Sequence, residues 1–433
     1  MTARTRFRCG WLLLAWVLLA IVAATTTAGA GELSGDERRI ASYVDEHQGE
    51  MLALLEQSVR IDGATENLEG VKRVGTFFRG EFEQLGFATR WIDMPPAMNR
   101  AGHLFAERTG TRGKRLLLIG HLDTVLPGGA FRREGDKLFG SGTADMKGGD
   151  VILLCALRAL HSLGALDGSR LIVAFTGDEE SAGQPLEISR RDLLEAGHRS
   201  DLALAFEAAI RDTATVARRG ASGWTLEVTG VQAHSAGIFS AAVGDGAVFE
   251  AARILQEFRE KLRAEDGLTF NPSLIVGGTD AELTGLTQGT AAGKSNVIAR
   301  RAVVRGDLRF QTAAQLGRAR AQMKEIIARN LPRTSATLTF TDSYPAMEPT
   351  PASEALLAQL DGVSRDLGFG PVKICDPKDR GAGDVSFVAP FLPGLDGLGA
   401  RGQGAHAPGE YADAASLAEL TKRTAVLIYR LTR

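Results

Sequence analysis

Cysteine is scarce, with three residues in 433, and one of them, Cys9, precedes an apolar stretch at the N-terminus. So few thiols exclude a disulfide-dense scaffold and a cysteine-ligated metal site, which leaves nitrogen and oxygen as the donors for any metal. Cys155 falls in the apolar helical pattern 151–163 and reads as a buried free thiol. A Cys155–Cys375 disulfide is open to an exported chain, but nothing in the sequence calls for it. Charge of one sign is lacking too: 50 basic against 52 acidic residues leave a net −2. That balance excludes bulk electrostatic attraction to nucleic acid or to an anionic membrane. No internal repeat or low-complexity tract follows residue 31.

The one extended apolar stretch runs from Trp11 to about Ala24, behind Arg4, Arg6 and Arg8. Ala28-Gly29-Ala30 then fits a small-residue cleavage site, so residues 1–30 read as a secretory signal peptide. The stretch is short for a membrane span. The expected mature chain therefore begins near Gly31, periplasmic or secreted, with no membrane anchor. About 400 residues remain, enough for two domains.

Apolar residues recur at helical spacing over 36–60 and 70–85. Leu116–Ile119, Leu171–Thr176 and Leu202–Phe206 are short continuous apolar runs separated by helical patterns. This alternation predicts an α/β domain with a mostly parallel central sheet and helices on both faces. Ligands in such sheets collect beyond the carboxyl ends of the strands. His121, Glu179, Glu180 and Glu207 each fall just past one of these runs. Residues 218–341 differ. Trp224–Thr229, Leu268–Val276, Val297–Phe310 and Ala336–Thr341 read as strands, and 245–262 and 313–330 as helices. The order β-α-β-β-α-β is a ferredoxin-like α+β arrangement. It interrupts the first domain, which covers 31–217 and 342–433 and ends in a helix opened by the capping box Ser416–Glu419.

Four short motifs carry the chemistry: Gly120-His121-Leu122-Asp123, Ala144-Asp145-Met146-Lys147-Gly148-Gly149, Gly177-Asp178-Glu179-Glu180 and Gly404-Ala405-His406-Ala407. Their imidazoles and carboxylates are the donors a pair of divalent metals needs. Asp123 lies close enough to orient His121. The two oxygens of Asp145 could each take one ion. Glu179 and Glu180 project apart, which suits one to metal binding and the other to handling a water's proton. Glu207 and His406 would close the two shells. His47, His103, His161 and His198 lack any ligand pattern around them.

The combined set resembles the M20 metallopeptidases over nearly the whole mature chain, and within them the glutamate carboxypeptidase branch. The resemblance implies two Zn2+ per chain: His121 and Glu207 on one, Glu180 and His406 on the other, and Asp145 bridging. It implies Glu179 as general base, Asp123 as the support of His121, and a cis peptide at Asp145–Met146. The inserted domain becomes a dimerisation or lid domain, and the chain a homodimer. His234, in Ala233-His234-Ser235, would stabilise the oxyanion, often in the partner subunit's site. Asn296 and Arg309 match positions that hold a substrate carboxylate, and Gly381 and Gly383 a turn that approaches it with backbone N–H groups.

Three functions follow. The first is a zinc carboxypeptidase releasing a C-terminal residue, with glutamate the candidate. The second is an N-acyl-amino-acid amidohydrolase. The third is a peptide- or metal-binding protein without catalysis, a reading at odds with the presence of Glu179. Glutamate selectivity needs a second cation for the side-chain carboxylate. The segment 342–346 has none, which leaves Arg211, Arg218 and Arg219.

Overall fold

Leucines 116 to 118 and Ile119 sit at the centre of the molecule because consecutive side chains of a strand point to opposite faces. In the computed structural model, which describes residues 31–285 and 287–433, Leu116 and Leu118 face one apolar core and Leu117 and Ile119 another. The strand is Arg112–His121. It runs parallel to Ser169–Thr176 on one side and to Leu202–Ala205 on the other, and Gly394–Leu395 continues beyond the latter. A hairpin, Ala88–Asp93 with Gly102–Arg108, is added antiparallel at the other edge. The six-stranded sheet is therefore mixed, with four parallel strands and an antiparallel pair that the sequence pattern did not reveal.

One face carries the helices Gly35–Glu46, Gln48–Val59, Leu68–Gln84, Lys147–Ser162 and Ala414–Leu431, whose buried residues join the larger core. The helix Arg191–His198 and the short turn Val385–Val388 cover the other. The C-terminal helix begins two residues before the expected capping box. Asp413 is its cap and accepts from the Ala415 amide, while Ser416 donates to the Asp413 carbonyl. Register aligns the strand ends: His121 faces Thr176, and Ile119 faces Ala205. The residues that follow each strand thus leave the sheet at one rim.

The inserted unit has its own sheet, in the order Thr269–Gly278, Arg301–Phe310, Gly220–Thr229, Ser335–Asp342, antiparallel throughout. Helices Ala247–Leu262 and Ala313–Ile327 pack on it around Trp224, Phe258 and Met323. An additional hairpin, Asp280–Thr284 with Gln288–Ala292, occupies the stretch before Arg301. Trp224–Thr229 is an inner strand, so it offers no free edge; the outer strands are Thr269–Gly278 and Ser335–Asp342. Val231, Phe239, Val248, Phe249 and Ile275 are the large apolar residues that the described part of this unit exposes.

The expected signal peptide, with Cys9, lies outside the described residues. No helix among the described residues is long and apolar enough to cross a membrane. Cys155 and Cys375 are both free; Cys375 is buried and Cys155 half-buried.

Candidate metal centre

His121 ends its strand and is almost fully buried. Its Nδ1 lies 3.0 Å from the Asp123 carbonyl oxygen, which leaves Nε2 facing the cleft, 3.2 Å from Oδ1 of Asp145 and 3.8 Å from Glu207. The other oxygen of Asp145, Oδ2, lies 3.1 Å from Nε2 of His406, and His406 is 3.0 Å from Glu180. Two groups of three donors result, His121–Asp145–Glu207 and Asp145–Glu180–His406, each with ligand atoms within 4.8 Å of one another. Asp145 belongs to both. The Asp145–Met146 peptide is cis. His406 is exposed, sits at the tip of the loop between Gly402–Gln403 and Tyr411–Asp413, and has a left-handed backbone with φ 64°.

Asp123 is fully buried and does more than orient His121. Its carboxylate accepts the amides of Glu179 (3.0 Å) and Glu180 (3.1 Å) and the Thr65 hydroxyl (2.7 Å). One aspartate therefore fixes both, the histidine through its carbonyl and the turn that carries the paired glutamates through its carboxylate. The Glu179 side chain makes no hydrogen bond or ion pair with the described residues. It lines a small cavity with His121 and Glu207.

The electrostatics suit a cation. Burial, reinforced by the Asp145 charge, pushes Glu207 up to about 8. Burial and the neighbouring Glu207 likewise hold Glu179 well above the usual carboxylate range. Burial alone would raise Asp145, but hydrogen bonds from His121 and His406 hold it below that range. The same bonds to Asp145 and Glu180 bring His406 up to about 10. Oε1 of Glu180 is buried with no partner among the described residues. Mutually repelling, partly desolvated carboxylates interleaved with two imidazoles fit a pair of divalent ions.

Several contacts that support the site had no signal in the sequence. Arg190 is fully buried; it pairs with Asp178 at 2.6 Å and Asp384 at 2.8 Å and donates to the Tyr344 hydroxyl at 3.0 Å. Tyr344 in turn donates to the Glu179 carbonyl. Arg218 is buried against Asp396, lies 3.8 Å from Glu207, and donates to the carbonyls of Gly381 and Ala382. A Cβ on Gly383 would meet its Nη1 at 2.6 Å, so Gly383 is glycine to admit Arg218. Gly381 and Gly383 thus contact a protein arginine. Arg218 is committed, which removes it as the free cation for a glutamate side chain; Arg211 and Arg219 lie outside the ligand groups.

The inserted sheet divides the remaining expected residues. His234 is exposed, and its bridge to Val297 sets it beside Asn296, whose carbonyl accepts from Ser235. Arg309 is at the opposite end of its strand, about 26 Å from Arg301 at ~3.3 Å per residue, and pairs with Asp307 at 2.9 Å. None of the three contacts the metal-donor groups within one chain.

A mixed α/β sheet with two groups of His/Asp/Glu donors at its carboxyl rim and an inserted α+β domain defines a hydrolytic metallopeptidase. The chain belongs to peptidase family M20/M25/M40, whose model matches residues 117–430; the family is metal-dependent. Carboxypeptidase G2 of Pseudomonas sp. (strain RS-16) is 26% identical over 430 residues, covering 96% of this chain and 97% of the relative. Succinyl-diaminopimelate desuccinylase of Gluconobacter oxydans (strain 621H) is 25% identical over 360 residues, 79% of this chain and 88% of the relative. The solved aminopeptidase PepT of Bacillus cereus shares the fold, with a TM-score of 0.72, 17% identity, and coverage of 89% of this chain and 99% of that one.

Proposed function

We propose that the protein is an exported dizinc carboxypeptidase that releases a C-terminal amino acid from a peptide or amide. The observation that carries this reading is the double engagement of Asp145, with one oxygen toward His121 and the other toward His406. His121, Asp145 and Glu207 would hold one ion, and Asp145, Glu180 and His406 the other. When bound, zinc supplies Lewis acidity and lowers the pKa of a coordinated water. Glu179, whose carboxylate is free of hydrogen bonds with the described residues and stands beside His121 in the small cavity, accepts the proton of the attacking water and returns it to the leaving amine. Asp123 keeps Glu179 and Glu180 on opposite tasks by holding both backbone amides. His234 and Asn296, at the far end of the inserted sheet, would serve the partner's site in a homodimer. Arg309 and the 381–383 turn would border the carboxylate end of the substrate.

An N-acyl-amino-acid amidohydrolase uses the same centre. The engagement of Arg218 with Asp396 favours this second reading over strict glutamate selectivity. The two are separated by turnover of zinc-loaded protein on matched N-blocked Glu, Asp, Leu and Phe substrates with peptide and simple acyl blocking groups. Hydrolysis confined to simple acyl groups would replace the carboxypeptidase reading; no hydrolysis of any member would overturn both.

A further inference from the structure

Glu410 lies four residues after His406, at the base of the same loop, and is buried. Its Oε1 accepts the amides of Ala144 at 2.8 Å and Asp145 at 3.0 Å, and its Oε2 accepts the amide of Gly142 at 2.9 Å. No ion pair with a described residue balances its charge, so three backbone dipoles solvate it. The Glu410 carbonyl likewise accepts the amide of Gly140. The next residues, Tyr411–Asp413, pair with Lys137–Phe139, and that register sets Glu410 opposite the turn leading to Asp145. One aspartate is therefore gripped twice by one loop: at its side chain by His406 and at its backbone by Glu410.

We infer that Glu410 is a positioning residue, which clamps the 142–145 turn so that the Asp145 carboxylate stands between the two donor groups. The physical reason is directional. A carboxylate bridging two ions tolerates little rotation, and Asp145 precedes a helix that begins only at Lys147. Without Glu410 the turn has three amides without an acceptor in the protein, and they must turn toward water. Residues that orient ligands without touching the metal commonly change affinity or activity by about 10–100-fold when replaced. A glutamine at 410 keeps one acceptor oxygen but sets an NH2 against an amide N–H, so part of the clamp is lost while the side chain keeps its volume.

This inference rests on the two-ion reading, and the test separates the two. Cobalt(II) titrations followed by calorimetry and visible absorption are made on wild type, Glu410→Gln and Glu410→Asp, with circular dichroism as the fold check. Wild type takes up two ions. Glu410→Gln folds, binds the second ion about 10–100-fold more weakly and shows an altered cobalt spectrum; kcat falls while KM stays within about twofold. Glu410→Asp, which keeps the charge but withdraws it by one methylene, shows the same spectral change to a smaller degree and covers the case in which the glutamine variant does not fold. Variants with both affinities and the spectrum of wild type, even if less stable, overturn the positioning role. Wild type that binds a single ion overturns the two-ion reading and this inference with it.

Discussion

The hydroxyl of Tyr344 donates a 2.6 Å hydrogen bond to the backbone carbonyl of Glu179. Tyr344 lies where the chain returns from the inserted domain, and its own carbonyl accepts the amide of Ala221 where the chain has entered it. The proposed general base is thus tied, through one side chain, to the joint between the two domains.

Tyr344→Phe tests that tie. It leaves the Glu179 carbonyl and one Arg190 N–H without their partner in a buried setting, at a cost of about 1–3 kcal/mol. We expect a lower melting temperature and a lower kcat with unchanged metal content. Unchanged kcat would show that the Glu179 backbone is held adequately by Asp123 alone.

Glu179→Gln should retain the metals and lose turnover by about 10²–10⁴-fold, because an amide cannot accept the proton of the attacking water. Glu180→Gln should instead weaken one ion, which metal analysis after dialysis reads directly. Near-normal kcat in Glu179→Gln would remove Glu179 as the base.

Metal content should be about two divalent ions per chain, bound by nitrogen and oxygen donors. Chelation should lower the melting temperature, because Asp145, Glu180 and Glu207 then face one another with His121, His406 and Arg218 as the nearby cationic partners. Equal melting curves with and without chelator would contradict this coupling.

His234→Ala should cut turnover with zinc retained if His234 stabilises the oxyanion. Mixing it with Glu179→Gln should restore partial activity, since one hybrid site keeps both residues when His234 serves the partner. A monomeric, fully active wild type without such rescue would exclude the shared site.

Arg218→Met should destabilise the fold by about 3–5 kcal/mol, since it leaves Asp396 buried without its cation. Denaturant unfolding measures this. Gly383→Ala should destabilise in the same region by overpacking, about 1–3 kcal/mol, through the collision of its methyl with Arg218.

The order of elements was legible in the residues themselves. Three apolar runs and the β-α-β-β-α-β stretch are local patterns, and backbone periodicity writes such patterns directly into the chain. The placement of the candidate donors was legible for the same reason: His121 ends one strand, Glu180 and Glu207 follow two others, and strand ends of a parallel sheet share a rim. The hairpin Ala88–Asp93 with Gly102–Arg108 was not, because its strands alternate only weakly, and the inner position of Gly220–Thr229 was not, because pairing order is a non-local choice. What tertiary structure alone decided is the support of the site. Arg190 reaches Asp178, Asp384 and Tyr344; Arg218 reaches Asp396; Glu410 reaches the turn before Asp145 from 265 residues away. No spacing rule foretells such contacts. A buried charge finds its partner wherever the packed chain brings one, and it must find one because solvation by water is gone.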